Sequence, residues 1–416
     1  MALLTTSTAD YLTKVRYIGP IQDQLNNKTV LANRIDRDES TQSVDGKSFS
    51  VPLHYKRNNQ AGSGRPDNGT LPSVDSQAGV VGVVPNKFIY TGFEITGPTM
   101  AATKSNLGAF VRVVDDEIRR GTKDMKKAFN RQLHSNGIDA LAYWTTTDDT
   151  SGTVTDDNQG NAFVYLGNGA TSCDLLDASA SYAVIGDSIV ATLSTEDTST
   201  PGWNITWTGT VSGSADGDVL VMEDTVVGGV GYSMMGIDGI ISSSNPPLLA
   251  GGLHGLAVAT YPWWVAQDFN NSGTKRALTL ALMQAPLSQI SVRSDYDEED
   301  VKFLLGNVFI RDKYEQLLIA DKRHVNTLKL DGGFTGLDYS GKPFVVDTDC
   351  KRNRIYYITP DTMSIFRNQD FGMMDMDGKI WHRREYKDSY FATLTHYGDL
   401  ACKNRNGNGV LRDITE

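Results

Sequence analysis

Apolar residues alternate along residues 47–56, where Phe49, Val51, Leu53 and Tyr55 share one side of an extended chain. A period of two marks a half-buried strand. Pro52 falls on the opposite side, where only an edge strand tolerates it. A second alternation over residues 86–96 puts Ile89, Thr91, Phe93 and Ile95 on one face. The two strands are expected to form one long hairpin. Between them lies a stretch rich in Gly, Asn, Ser and Pro, including Gly62, Gly64, Pro66, Gly69 and Pro72. Loops of that length are uncommon in compact domains. The stretch reads either as a surface loop or as part of a projecting hairpin ordered by a neighbour. A lone hairpin is marginal in water, so it needs a surface to lie on.

The period then changes. Leu107, Phe110, Val111, Val114, Ile118, Met125, Phe129 and Leu133 recur at helical spacing, predicting a helix over 103–136. Thr103 or Ser105 suits its start and Gly137 its end. Such a helix is roughly 50 Å long. Gly121 interrupts it at a cost of about 1 kcal/mol relative to Ala. Its basic residues are Lys104, Arg112, Arg119, Arg120, Lys123, Lys126, Lys127 and Arg131, against acids at Asp115, Asp116, Glu117 and Asp124. A solvated, salt-bridged face and a face turned to a polyanion both remain open.

From 140 to 235 the chain is dominated by Gly, Ser, Thr and Asp. Short apolar runs at Ala162–Leu166, Ser188–Leu193, Trp203–Val211 and Asp218–Met222 suggest a small all-β module. A second helix is expected over 294–320, its acids from Asp295 to Asp300 placed at the positive end of the dipole. Val301, Leu304, Leu305, Val308 and Phe309 would form its apolar face. Strands return at Phe344–Val346, Arg354–Ile358, Tyr390–His396, Leu400–Lys403 and Val410–Ile414.

Charge sharpens this division. The 416 residues carry a net charge of −11, which argues against a generic nucleic-acid binder. From Gln132 to Thr274 there are sixteen acids and no Lys or Arg, whereas residues 1–131 carry a net +5. One contiguous block therefore differs chemically from its surroundings, as an inserted domain would. Residues 1–40 show no clear period and read as an extended arm. Cys173, Cys350 and Cys402 form no CxxC pair. The first residues lack a basic and apolar leader pattern. The longest uncharged stretch, Gly239–Gln267, contains Pro246, Pro247 and Pro262 and is a poor membrane span.

Motifs that carry chemistry are missing. The run Gly64-Arg-Pro-Asp-Asn-Gly69-Thr lacks the Lys of a phosphate loop. The six histidines show no helical i, i+4 pair for zinc. Asp156–Asn161 and Asp216-Gly-Asp218 have the composition of calcium loops but lack the spaced ligands and terminal Glu. Trp263-Trp264 could be a sugar platform, though paired Trp more often anchor a core or an interface. No catalytic, cofactor or metal residue is assigned.

The order of elements, with certain local sequences, resembles the major capsid protein of tailed bacteriophages, the Hong Kong 97-type fold. The local sequences are Met235–Ile241 followed by Tyr261–Val265, Tyr314–Arg323, Gly341–Asp347, and Ser389–Asn404 with Gly409–Asp413. The resemblance implies an α+β capsid fold with an all-β insertion. It divides the chain into an N-terminal arm (1–40), an extended loop hairpin (41–100), a spine helix of the peripheral domain (101–139), the β-rich insertion (140–235), an axial domain (236–365) and closing peripheral strands (366–416). It implies an icosahedral shell that encloses double-stranded DNA, located in the virion and assembled in the host cytoplasm without catalysis. The implied partners are further copies in hexamers and pentamers, a portal protein, a decoration protein and the packaged DNA; no membrane is involved. A hairpin beginning within about 45 residues leaves no room for a long leading scaffold segment, so a separate scaffolding protein is expected. Candidate contacts between subunits are Phe49, Val51, Leu53, Tyr55, Lys56, Arg57, Ile89, Phe93, Arg119, Arg120, Lys123 and Lys127. Lys47 and Lys56 pose the question of covalent cross-links, with ordinary salt bridges as the alternative. An outward-facing insertion is expected, since its charge would be repelled by packaged DNA. The competing readings are an encapsulin-like nanocompartment shell, a virion decoration protein and a carbohydrate-active enzyme.

Overall fold

The computed structural model describes residues 29–35, 48–59, 64–71, 75–102, 113–144, 151–155, 171–179, 182–197, 202–249, 251–320, 327–329, 335–375 and 378–415. Most of the expected arm over 1–40 therefore lies outside the described residues. So do Lys47, the start of the long helix at 103–112, and Asp156–Asn161.

Three strands open the described chain: β1 (Ser48–Lys56), β2 (Ala78–Pro85) and β3 (Lys87–Thr96). Helices α1 (Gly97–Ala102) and α2 (Val113–His134) follow. Next come β4 (Ala142–Trp144), β5 (Ser151–Thr155), β6 (Thr171–Asp177), β7 (Ala183–Asp197), β8 (Gly202–Thr208) and β9 (Val219–Met222). A small ribbon, β10 (Val226–Val227) and β11 (Val230–Gly231), leads to the short helix α3 (Ile237–Ile240). The second half holds β12 (Gln267–Phe269), α4 (Leu280–Arg293), β13 (Phe303–Gly306), α5 (Val308–Ala320), β14 (Thr327–Lys329), β15 (Thr335–Tyr339), β16 (Lys342–Val346) and β17 (Ile355–Ile358). It closes with β18 (Met363–Met373), β19 (His382–Arg383), β20 (Ser389–Cys402) and β21 (Gly409–Leu411).

The alternation in 47–56 is real, with Phe49 and Val51 buried. Its partner differs from the expected one. β1 pairs antiparallel with β2, Phe49 facing Val84 and Val51 facing Gly82. β3 pairs instead with β20, from Lys87 opposite Gly398 to Thr96 opposite Ser389. The chain passes from one sheet to the other at Pro85-Asn86, because Pro85 has no N–H to continue a ladder. The hairpin is thus residues 48–85, and the second alternating run belongs to the body.

α2 lies on the inner face of β3 and β20. Met125, Phe129 and Leu133 join Ile89 and Phe93 in one core. Gly121 is where helix and strand approach most closely, since a Cβ there would sit 1.9 Å from the Phe93 ring. The helix stops at His134, and Gly137 turns the chain at φ 93°. Strands β4 to β9 then close into a barrel, in the order β4-β5-β8-β7-β6-β9. Leu141, Trp144, Cys173, Leu175, Ile189, Ile205, Trp207 and Leu220 fill it.

The expected helix over 294–320 is replaced by a short 3-10 turn at Glu298–Asp300, the strand β13 and then α5. β13 is the middle of a seven-stranded mixed sheet, β12-β21-β17-β13-β16-β15-β14, and all four of its residues are buried. A strand covered on both faces shows a run of apolar residues rather than alternation, and a run does not distinguish strand from helix. α4 was not anticipated, because Pro286 lies inside it. Thr279 caps its start by accepting from the Leu282 N–H at 3.2 Å.

Candidate functional site

The hairpin and the outer face of the β3–β20 sheet carry the most conspicuous exposed apolar surface. Leu71 is 82 % exposed, and Val81, Val83, Phe88 and Tyr90 are each about half exposed. Phe88 and Tyr90 both meet Tyr397 edge-on, at 5.2 and 5.9 Å between ring centroids. Further along this face, Glu94 accepts from Arg384 at 2.6 Å and from Ser389 at 2.7 Å. Ser389 and then Arg384 hold the Glu94 carboxyl below its usual range. Beside them the turn 378–388 presents Lys379, Arg383, Arg384 and Lys387 around Tyr386, which is 97 % exposed at φ 58°. Nothing in the sequence pattern of this turn separates an aromatic tip from a core residue.

The twelve contact candidates separate into two groups. Phe49, Val51, Ile89 and Phe93 are buried within their own chain, the first two against Phe366 and Ala401. Lys127 is buried as well, its ammonium 2.7 Å from Asp349. These five offer no surface to a neighbour, because alternation identifies a buried face without saying whose core buries it. The others reach the surface to different degrees. Leu53 is half-buried, and Tyr55 stacks on Trp263 at 5.2 Å with the rings parallel within 2°. Lys56 crosses the hairpin to Asp75 at 2.7 Å. Arg57 is exposed 3.7 Å from Asp295. Arg119 and Lys123 lie exposed on α2, with Arg120 half-buried.

Two buried ionic clusters tie distant segments of the body together, and no local pattern in the sequence marks either. Asp238 on α3 accepts from Lys351 at 2.7 Å and Tyr356 at 2.9 Å, pairs with Arg354, and lies 3.3 Å from Arg412. Burial alone would raise its carboxyl; Arg354, Lys351 and Arg412 outweigh that and hold it well below the usual range. The second cluster joins α2 to the segment after β16. Asp347 accepts from His134 at 3.0 Å, from Asn130 at 3.1 Å and from the backbone N–H of Leu31 at 3.2 Å. Residues 29–35 are thereby pinned to the body, with Leu31 fully buried.

Several chemical candidates among the described residues hold structural roles. The Asp218 carboxylate accepts backbone N–H groups of Ala178 and Ala215 at 3.1 and 2.6 Å, closing turns rather than presenting ligands. Among the described residues no cluster of three metal-binding side chains occurs. All three cysteines are buried and unpaired with one another, and burial pushes the Cys173 and Cys402 thiols up to about 12. Trp264 is buried and donates to the Leu253 carbonyl at 3.2 Å, so it is core, while Trp263 supports the hairpin. No helix among the described residues is long and apolar enough to cross a membrane.

No family model and no curated relative matches the sequence. Solved structures do match. The capsid asymmetric unit of cyanophage A-1(L) aligns over 99 % of this chain and 100 % of that one, with a TM-score of 0.57 and 15 % identity. The capsid of the empty GTA particle aligns over 100 % of both chains, with a TM-score of 0.52 and 10 % identity. An encapsulin, SrpI from Synechococcus elongatus, covers 100 % of this chain and 96 % of its own, with a TM-score of 0.46 and 8 % identity. The chain thus has the fold of phage capsid proteins, the fold that its element order resembles. At these identities the likeness is one of fold.

Proposed function

We propose that the chain is the major capsid protein of a tailed phage or phage-like particle, a structural subunit that self-assembles into a closed shell around double-stranded DNA. The carrying observation is the end-to-end match of fold to a cyanophage capsid subunit. In this reading residues 48–85 are the extended loop, shortened from 41–100 because β3 belongs to the sheet. Residues 29–35 mark where the N-terminal arm leaves the body. α2 is the spine helix of a peripheral domain completed by β3 and β18–β20. The seven-stranded sheet with α4 and α5 is the axial domain. The barrel is an insertion domain turned outward, and its block of acids without a basic residue disfavours a place beside DNA.

The surface chemistry supports this reading. Leu71 and the aromatic face of β3 and β20 are apolar groups left in water by a single chain, and an adjacent copy would cover them. Hexamers and pentamers of the same chain are the primary partners. A scaffolding protein during assembly, a portal, a decoration protein and packaged DNA complete the particle, which forms in the host cytoplasm. The test is electron microscopy of the expressed chain. Closed shells or capsomer rings support the proposal. A monodisperse monomer that hydrolyses a glycan would replace it with an enzyme. A capsid map with the barrel on the inner wall would reject its outward placement.

A further inference from the structure

A groove of 490 Å³ lies where the start of β3, the middle of α2 and the segments flanking β10 and β11 meet. Phe88, Tyr90 and Tyr232 line it with rings, each about half exposed. Asp124, Glu223 and Asp224 line it with exposed carboxylates. Arg131 also lines it and is bound to Asp139 at 2.8 and 2.6 Å, so that pair adds no net charge. The Ser233 hydroxyl reaches the same groove, nearly fully buried and with no hydrogen-bond partner among the described residues. The turn 378–388 has the opposite character. It carries four basic and two acidic residues around the exposed Tyr386 ring. The Arg384 N–H donates to the Ser389 carbonyl at 2.9 Å and Arg383 Nε to the Lys387 carbonyl at 3.3 Å, so the tip is shaped before any contact is made.

Knob and groove sit at opposite ends of one strand. Tyr90 lines the groove, while Thr96 pairs with Ser389 at the base of the turn, which continues beyond it. The strand between Tyr90 and Thr96 spans roughly 20 Å. A chain therefore does not fill its own groove with its own turn. We propose, on the capsid reading above, that the groove receives the turn 378–388 of a second copy of this chain. Tyr386 enters between Tyr90 and Tyr232, and Lys387 meets Glu223 and Asp224. Three features argue for this occupant. The charges are opposite, and complementary charge selects a partner and fixes its register. A ring in an aromatic-walled pocket, rimmed by polar groups, is the usual anchor of a protein interface. A buried Tyr needs a partner for its hydroxyl, and Ser233 supplies one. A knob at one end of a sheet and a groove at the other give a head-to-tail contact, which repeats from copy to copy and closes into a ring when the rotation allows.

The test is zero-length carbodiimide coupling in shells assembled from an equal mixture of unlabelled and nitrogen-15-labelled full chains. Peptide mass spectrometry is expected to find Lys387 joined to Glu223 or Asp224, with mixed-label pairs among the products. Closed shells without that coupled pair, or with single-label pairs only, overturn the docking and leave the capsid reading standing. Coupling of Glu223 and Asp224 to a lysine elsewhere in the chain, in place of Lys387, also overturns it. If no shells form, the capsid reading fails and the docking fails with it. Charge reversal is the second measurement. Lys387 and Asp224 are exposed, so neither variant is expected to move the thermal midpoint of the monomer. Lys387→Glu should raise the critical concentration for assembly about tenfold, and adding Asp224→Lys to the same chain should restore it. A Lys387→Glu chain that assembles like the wild type, or a double variant no better than the single one, overturns the pairing.

Discussion

The barrel and the hairpin are both antiparallel β-structure, yet they are stabilised in opposite ways. The barrel closes on itself and fills its interior with its own Trp144, Trp207, Leu175 and Ile205. Closure leaves no ladder edge to satisfy. The hairpin has two strands, no interior, and a buried face lent to it by Phe366, Ala401 and Trp263. The difference separates what is a module from what is an appendage. A module can be inserted into a chain without altering its surroundings, whereas an appendage takes its order from whatever lies beneath it. Under the proposed shell function the second property is useful, because the exposed face of the same hairpin is available to a neighbour.

Four substitutions would break or sharpen this contrast. Trp144→Ala removes a fully buried ring 4.2 Å from Trp207 and is expected to cost the barrel about 3–5 kcal/mol. Urea unfolding should then resolve an early barrel transition with the α2 body intact; a single unchanged transition would refute the barrel's independence. Gly121→Ala forces a methyl group against Phe93 and should cost the body about 1–3 kcal/mol in the same experiment. Tyr55→Ala loses the stack on Trp263 and should loosen the hairpin by about 0.5–1.5 kcal/mol, read as faster hydrogen exchange in β1. Tyr386→Ala should leave monomer stability within about 0.5 kcal/mol, since the ring is exposed. Under the proposed function its effect falls on assembly: fewer shells by light scattering are expected, and normal shells would remove the turn from the proposed contact surface.

Much of the fold was legible because it rests on local periodicity. The alternation of Phe49 and Val51, the helical spacing of Met125, Phe129 and Leu133, and the stop at Gly137 all appear as expected. The candidate contact surface was less legible. Of its twelve candidates, five are buried inside the chain, while Leu71, Phe88 and Tyr386 are exposed apolar groups that periodicity does not mark. Hydrophobicity marks what must be covered; it does not say whether the cover comes from the same chain or another.

The sequence by itself determined the alternation of strands, the helix ahead of the barrel and the chemical distinctness of the acid-rich block. Each follows from neighbours within a few residues or from composition. Only the tertiary structure decided that β1 pairs with β2 rather than with residues 86–96, because both candidates alternate and the choice lies in a ladder to β20, some three hundred residues away. It alone turned Phe303–Gly306 into a central strand, since burial on both faces erases the period. It also drew Asp238, Asp347 and Asp349 from apparent surface charge into the interior. A buried carboxylate is tolerated only where cations and N–H donors converge on it, and that convergence exists only once distant segments have folded together.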